Sequence, residues 1–135
     1  SYAETKNISL QAVDANTVLV FGNGVAYFRI PVELNGMNLV SVGCANFVAS
    51  NGSSSTYQFS RGRQASPTSA HTFVSMLSTV VTIDDLEYDS KDATTPPVIN
   101  TSNDDVLTGD HIRVDIVTEG VNTQGLFVTL GFRLP

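Results

Sequence analysis

Residues 107–135, LTGDHIRVDIVTEGVNTQGLFVTLGFRLP, alternate in hydrophobicity with a period of two. Ile112, Val114 and Ile116 fall on one face of a first strand, with His111, Arg113 and Asp115 on the other. Leu126, Val128, Leu130 and Phe132 share a face of a second. Successive side chains of a strand point to opposite sides, so this spacing belongs to strands half-buried in an antiparallel sheet. The linker from Glu119 to Gln124, closed by Gly120 and Gly125, has the composition of a hairpin loop, so the two strands are expected to pair.

Upstream, short strand signals recur with breakers between them, as in an all-β sandwich or barrel. The expected strands are Ile8 to Val13, Thr17 to Phe21, Val25 to Val32, Met37 to Ala49, Thr56 to Ser60, Thr72 to Leu77 and Val80 to Ile83, followed by His111 to Val117 and Leu126 to Leu134. Gly22-Asn23-Gly24 and Asn35-Gly36 read as tight hairpin turns, because Asn and Gly accept the positive φ of primed turns. Asn51 to Ser55 and Arg61 to Ala70 read as surface loops. In the acidic loop from Asp84 to Asp105, Pro96 and Pro97 restrict Val98-Ile99 to an edge strand or an apolar clip, and so long a loop is expected to contact a neighbour. The expectation is one domain: an antiparallel β-sandwich over residues 8–135, jelly-roll-like, preceded by an arm over residues 1–7.

Composition narrows the function classes. A net charge of −6 without a Lys/Arg cluster argues against a nucleic-acid partner and an anionic membrane surface. No apolar run approaches a membrane span, and Ser1-Tyr2-Ala3-Glu4 carries neither the basic nor the apolar region of a signal peptide. Charged residues make up only 15% while Ser, Thr and Asn abound, giving the hydroxyl-rich surface of extracellular or particle-surface β-domains. Cys44, the single cysteine, sits among Leu39, Val40 and Val42 and reads as a buried small hydrophobe, not a nucleophile.

No enzyme motif stands out. The chain has no GxSxG and no Trp to serve as a sugar platform, and its two histidines, His71 and His111, lack metal-ligand spacing. His111 reads as an exposed histidine on the polar face of its strand. Asp84, Asp85, Glu87, Asp89 and Asp92 offer oxygen ligands of the kind calcium takes, but without the glycine and terminal glutamate of an EF-hand, and with Lys91 among them. A solvated acidic loop is expected there, and no cofactor. Asp104 or Asp105 is expected to cap a turn. Tyr57, Phe59 and Tyr88 lie near loops, where they either stack on a glycan or plug the sandwich and its interfaces. Arg61-Gly62-Arg63 can hold an anionic group, but is expected to form salt bridges between subunits with the Asp84 to Asp92 loop. A ligand pocket, if the loops form one, is expected to use Tyr57, Arg61, Arg63 and Tyr88.

Three segments, Met76 to Asp84, Pro97 to Asp115 and Gly125 to Pro135, together resemble a small β-domain of tailed-bacteriophage virion structural proteins of the head-decoration, head-fibre or tail-fibre-tip type. The turn Val106-Leu107-Thr108-Gly109-Asp110 before the long strand at His111 is also similar to that of jelly-roll domains of the C1q and tumour-necrosis-factor type, which are commonly trimers. The resemblance implies a non-enzymatic homotrimer on the virion surface that binds the major capsid protein or other virion proteins and stabilises the head. The alternative it implies is a receptor-binding tip that recognises a host glycan.

Overall fold

The computed structural model describes residues 4–135. Its strands are β1 (Lys6–Val18), β2 (Gly22–Arg29), β3 (Asn38–Ala45), β4 (Ser55–Arg63), β5 (Thr72–Ser75), β6 (Leu77–Thr79), β7 (Val81–Ile83), β8 (Val98–Ile99), β9 (His111–Thr118) and β10 (Gln124–Arg133). One sheet has the order β1-β10-β3, and the other β2-β9-β4-β5 with β7 also on β4; every pairing is antiparallel. β6 and β8 form a separate ribbon. The chain is therefore an antiparallel β-sandwich.

The alternating rows behave as their period requires. Ile112, Val114 and Ile116 of β9 meet Leu126, Val128, Leu130 and Phe132 of β10 across the interior, and all seven are buried. Tyr57 and Phe59 of β4, Leu39 and Cys44 of β3, Val81 and Ile83 of β7, and Met76 belong to the same core. Each such side chain contributes roughly 1.5–3 kcal/mol of transfer free energy. The two outermost strands on one side are less well covered: Ile8, Leu10, Ala12 and Val13 of β1 and Val25, Ala26 and Phe28 of β2 face the core but are only partly buried.

Connectivity departs from the expected hairpins. β9 and β10 do not pair; residues 119–123 carry the chain from the second sheet to the first. Periodicity fixes which face of a strand is buried but is silent about its neighbour, and Gly120 (φ +72) and Gly125 (φ +73) serve this crossover as readily as a hairpin. The links β1 to β2, β2 to β3 and β3 to β4 likewise cross between sheets. Gly22-Asn23-Gly24 is thus not a hairpin turn but the start of β2, where Gly22 opposes Ile116 and the Gly24 N–H donates to Asp115 Oδ1 (2.9 Å).

Irregular pairing extends the expected strand Ile8 to Val13 through Val18 as one strand, β1, with register shifts after Gln11 and Val13, while Leu19 to Phe21 of the expected strand Thr17 to Phe21 are a connection. Its start at Lys6 and Asn7, opposite Phe132 and Gly131, takes in the end of the expected arm; Ser1 to Ala3 fall outside the described residues. Asn35-Gly36 does turn, with Gly36 at φ +80, but after a 3-10 turn at Val32–Leu34 instead of a strand. Arg61-Gly62-Arg63 is not loop but the last residues of β4, paired with β5 and β9. Val98-Ile99 does form a short edge strand, on β6.

Candidate functional site

The two ends of the sandwich differ in chemistry. At one end lie the close of β2 and β4, the starts of β3 and β9, and the last residues of β10. Tyr57, Phe59, Arg61 and Arg63 form one row of β4, so the row that is aromatic in the core becomes cationic where it emerges. Arg61 Nη1 lies 2.8 Å from both the carboxylate Oδ1 and the backbone oxygen of Asp105. Arg63 Nη2 reaches Asp110 Oδ2 at 2.8 Å, and its Nη1 reaches Asp105 Oδ2 at 3.1 Å. These pairs are within the chain, with Asp105 and Asp110, and involve no residue of the Asp84 to Asp92 loop. Burial pushes the Asp105 carboxyl up, but the Arg63 hydrogen bond and the charges of both arginines outweigh it and hold the group below its ordinary range. The Asp110 hydrogen bond raises the Arg63 guanidinium further.

His71 and His111 meet beside this cluster, their rings stacked at 3.6 Å. His111 is therefore not the freely exposed histidine expected. Its neighbour in space is 40 positions away in sequence, and no spacing rule links them. Next to the stack, Arg63, Gln64, His71, Leu107, Thr108, Gly109 and Asp110 line a cavity of about 220 Å³.

The opposite end gathers the connections 19–21, 46–54, 84–88 and 119–123. They are stitched to one another through the backbone. Leu19 N–H donates to Thr123 O (2.9 Å), Phe47 N–H to Gln124 O (3.0 Å), Asn51 N–H to Val121 O (3.1 Å) and Leu86 N–H to Ser50 O (2.9 Å). The Ser50 hydroxyl also accepts from Val121 N–H at 2.8 Å. Beneath them Asn46 Nδ2 donates to Tyr57 Oη (3.0 Å) and to Gly125 O (2.8 Å), and Tyr57 Oη donates to Ser55 Oγ (2.9 Å).

This end presents many apolar side chains to water, beside the exposed Asn51, Ser53, Asp85 and Asn122. Val18, Val20, Phe21, Phe47, Val48, Leu86, Tyr88, Val117 and Val121 are all exposed, Val20 and Phe21 by about two thirds. The connections 19–21, 46–54, 84–88 and 119–123 contain no Lys or Arg, and Lys91, in the turn just after Tyr88, is paired with Asp92 (3.2 Å). Carboxylates stand around this end. Asp85 accepts the Gly52 N–H (2.7 Å), Asp84 accepts the Thr94 N–H (2.8 Å), and Asp14 and Glu119 flank it on β1 and after β9.

The four residues expected to share a pocket are not brought together. Tyr57 is fully buried, a plug beneath the apolar end, and burial pushes its phenol up to about 12 against the lowering effect of its Ser55 and Asn46 hydrogen bonds. Arg61 is buried in its ion pair, Arg63 lines the cavity at the other end, and Tyr88 is exposed at the apolar end. The signal for Tyr57 and the arginines was the unbroken period of two from 57 to 63. Nothing local marks the apolar end, because its four segments meet only in the fold. Among the described residues no three His, Cys, Asp or Glu side chains converge as metal ligands. No protein-family model matches the sequence, and no curated protein or solved structure matches the chain.

Proposed function

We propose that the chain is a non-enzymatic structural protein of a tailed-bacteriophage virion, a decoration or head-fibre protein that binds the head and reinforces it. The observation that carries this reading is the collection of nine exposed large apolar side chains at one end of the sandwich. Contiguous apolar surface costs free energy in water and marks docking faces. The charged end suits the opposite role, because its arginines are already neutralised within the chain and the hydroxyl-rich surface interacts well with water.

Self-association belongs to the same proposal. The partly buried apolar rows of β1 and β2, both edge strands, gain cover in a homotrimer whose subunits meet along that side. The neighbouring of first and last strands, with crossovers between sheets, supports a jelly-roll-like arrangement.

Immunogold labelling of intact virions, with light scattering on the isolated chain, tests the reading. Regular labelling over the head and a trimer mass are expected. Labelling confined to the tail tip would replace decoration by the receptor-binding alternative, for which the cavity beside Arg63 is the place to seek a host glycan.

A further inference from the structure

We infer that the apolar end is the face that seats on the particle, and that its partner is a shell-protein surface with an apolar centre and a rim of Lys and Arg side chains. The inference rests on the function proposed above and adds the face and the chemistry of what it meets.

Three observations lead to it. Val20 and Phe21, Phe47, Leu86 and Val121 project from four connections whose backbones are hydrogen-bonded to one another, so docking orders little chain and its entropic cost is small. Leu86 is a non-glycine residue held at φ +68, its N–H fixed by Ser50 O while its side chain stands in solvent. That backbone conformation is disfavoured for a residue with a Cβ, and here it aims an apolar side chain outward. Finally, the charge around the patch is predominantly negative: Asp14, Asp84, Asp85 and Glu119 surround it, and Lys91, in the turn after Tyr88, is paired with Asp92 at 3.2 Å.

Charge complementarity selects the occupant. Two copies meeting through this end would set carboxylate rim against carboxylate rim, and like charges facing each other across an interface oppose it. An anionic lipid surface is repelled in the same way. A protein surface with an apolar centre and a cationic rim satisfies both parts of the patch, with aromatic anchors at the centre and charge pairs at the edge.

The experiment uses the full chain and particles produced without it, with bound protein measured by co-sedimentation over a range of salt concentrations. Phe21→Ser/Phe47→Ser, at exposed positions and checked for native circular dichroism, is expected to weaken binding by about tenfold or more. Asp85→Asn/Glu119→Gln is expected to bind more weakly at low salt and to lose much of the salt dependence. Val32→Ser, exposed at the charged end, is expected to bind as the unsubstituted chain does. If the unsubstituted chain binds and the Phe21→Ser/Phe47→Ser protein binds equally well, the face is wrong while the proposed function stands. If the unsubstituted chain does not bind particles at all, both fall. Loss of a solution oligomer in the Phe21→Ser/Phe47→Ser protein would make the occupant a second copy, and Phe21-dependent binding to phosphatidylcholine vesicles would make it a lipid surface; either overturns the inference.

Discussion

The imidazoles of His71 and His111 lie face to face, ring centres 3.6 Å apart and 14° from parallel. Burial, the His71 ring and Arg29 together hold His111 below the ordinary histidine range, with Asp110 opposing them. As pH falls below about 6.5 the unfolded chain takes up its proton before the folded chain does. The stabilising difference is therefore complete above that pH and is lost as pH falls toward the folded value. Thermal melts should show a declining transition temperature between about pH 7 and pH 5, and His111→Gln should flatten the decline. Parallel curves for the two proteins would remove the stack as its source.

Truncating the two arginines of β4 should have unequal effects. Arg63→Ala leaves Asp110, which is 3% exposed, with the Leu107 N–H as its remaining partner, and should cost about 3 kcal/mol, as an unpaired buried charge does. Arg61→Ala leaves Asp105 half-exposed and still bonded to Arg63, and should cost about 1–2 kcal/mol. Urea unfolding measures both, and the reverse order would contradict the assignment of Asp110 as the buried partner.

Tyr57→Phe removes the hydroxyl between Asn46 and Ser55 while keeping the ring in the core, for a loss of about 1 kcal/mol. The same hydroxyl should ionise only near pH 12. Because the folded chain then holds its proton longer than the unfolded one, stability should fall as pH rises above about 10. Ultraviolet titration of the folded protein should show a late phenolate component that Tyr57→Phe abolishes.

Cys44 is buried in β3, and burial, with the nearby Asp89 charge, raises its thiol far above the usual range. A thiol held protonated is a poor nucleophile. Ellman's reagent should leave it unmodified in the native protein and react fully in denaturant. Rapid native labelling would show that β3 opens on the timescale of the reaction.

The strands and their buried faces were legible because alternation is a local property. The rows Ile112-Val114-Ile116 and Leu126-Val128-Leu130-Phe132 point inward as read. Partner choice is not local: nothing in 119–124 distinguishes a hairpin from a crossover, so the pairing of β10 with β1 and β3 was out of reach. Arg61-Gly62-Arg63 read as loop because it opens the Gly-, Ser- and Pro-rich segment Arg61 to Ala70. What admits them is Asp105 and Asp110, more than 40 positions later, whose carboxylates neutralise the guanidiniums. The exposed end was illegible for a related reason, since isolated apolar residues in four connections carry no pattern until the connections are neighbours.

The side chains of Ser9 and Thr129 share a hydrogen bond across 120 positions of sequence. A ribosome making this chain releases β1 long before β10, the strand that binds it, exists. Until then a 13-residue strand with Ile8, Leu10 and Val13 on one face stays without its mate. Closing so long a loop before any contact rewards it makes folding slow, and a waiting edge invites pairing with another nascent chain. The yield of folded protein should therefore depend on how crowded the nascent chains are, and slower or cooler synthesis should raise it.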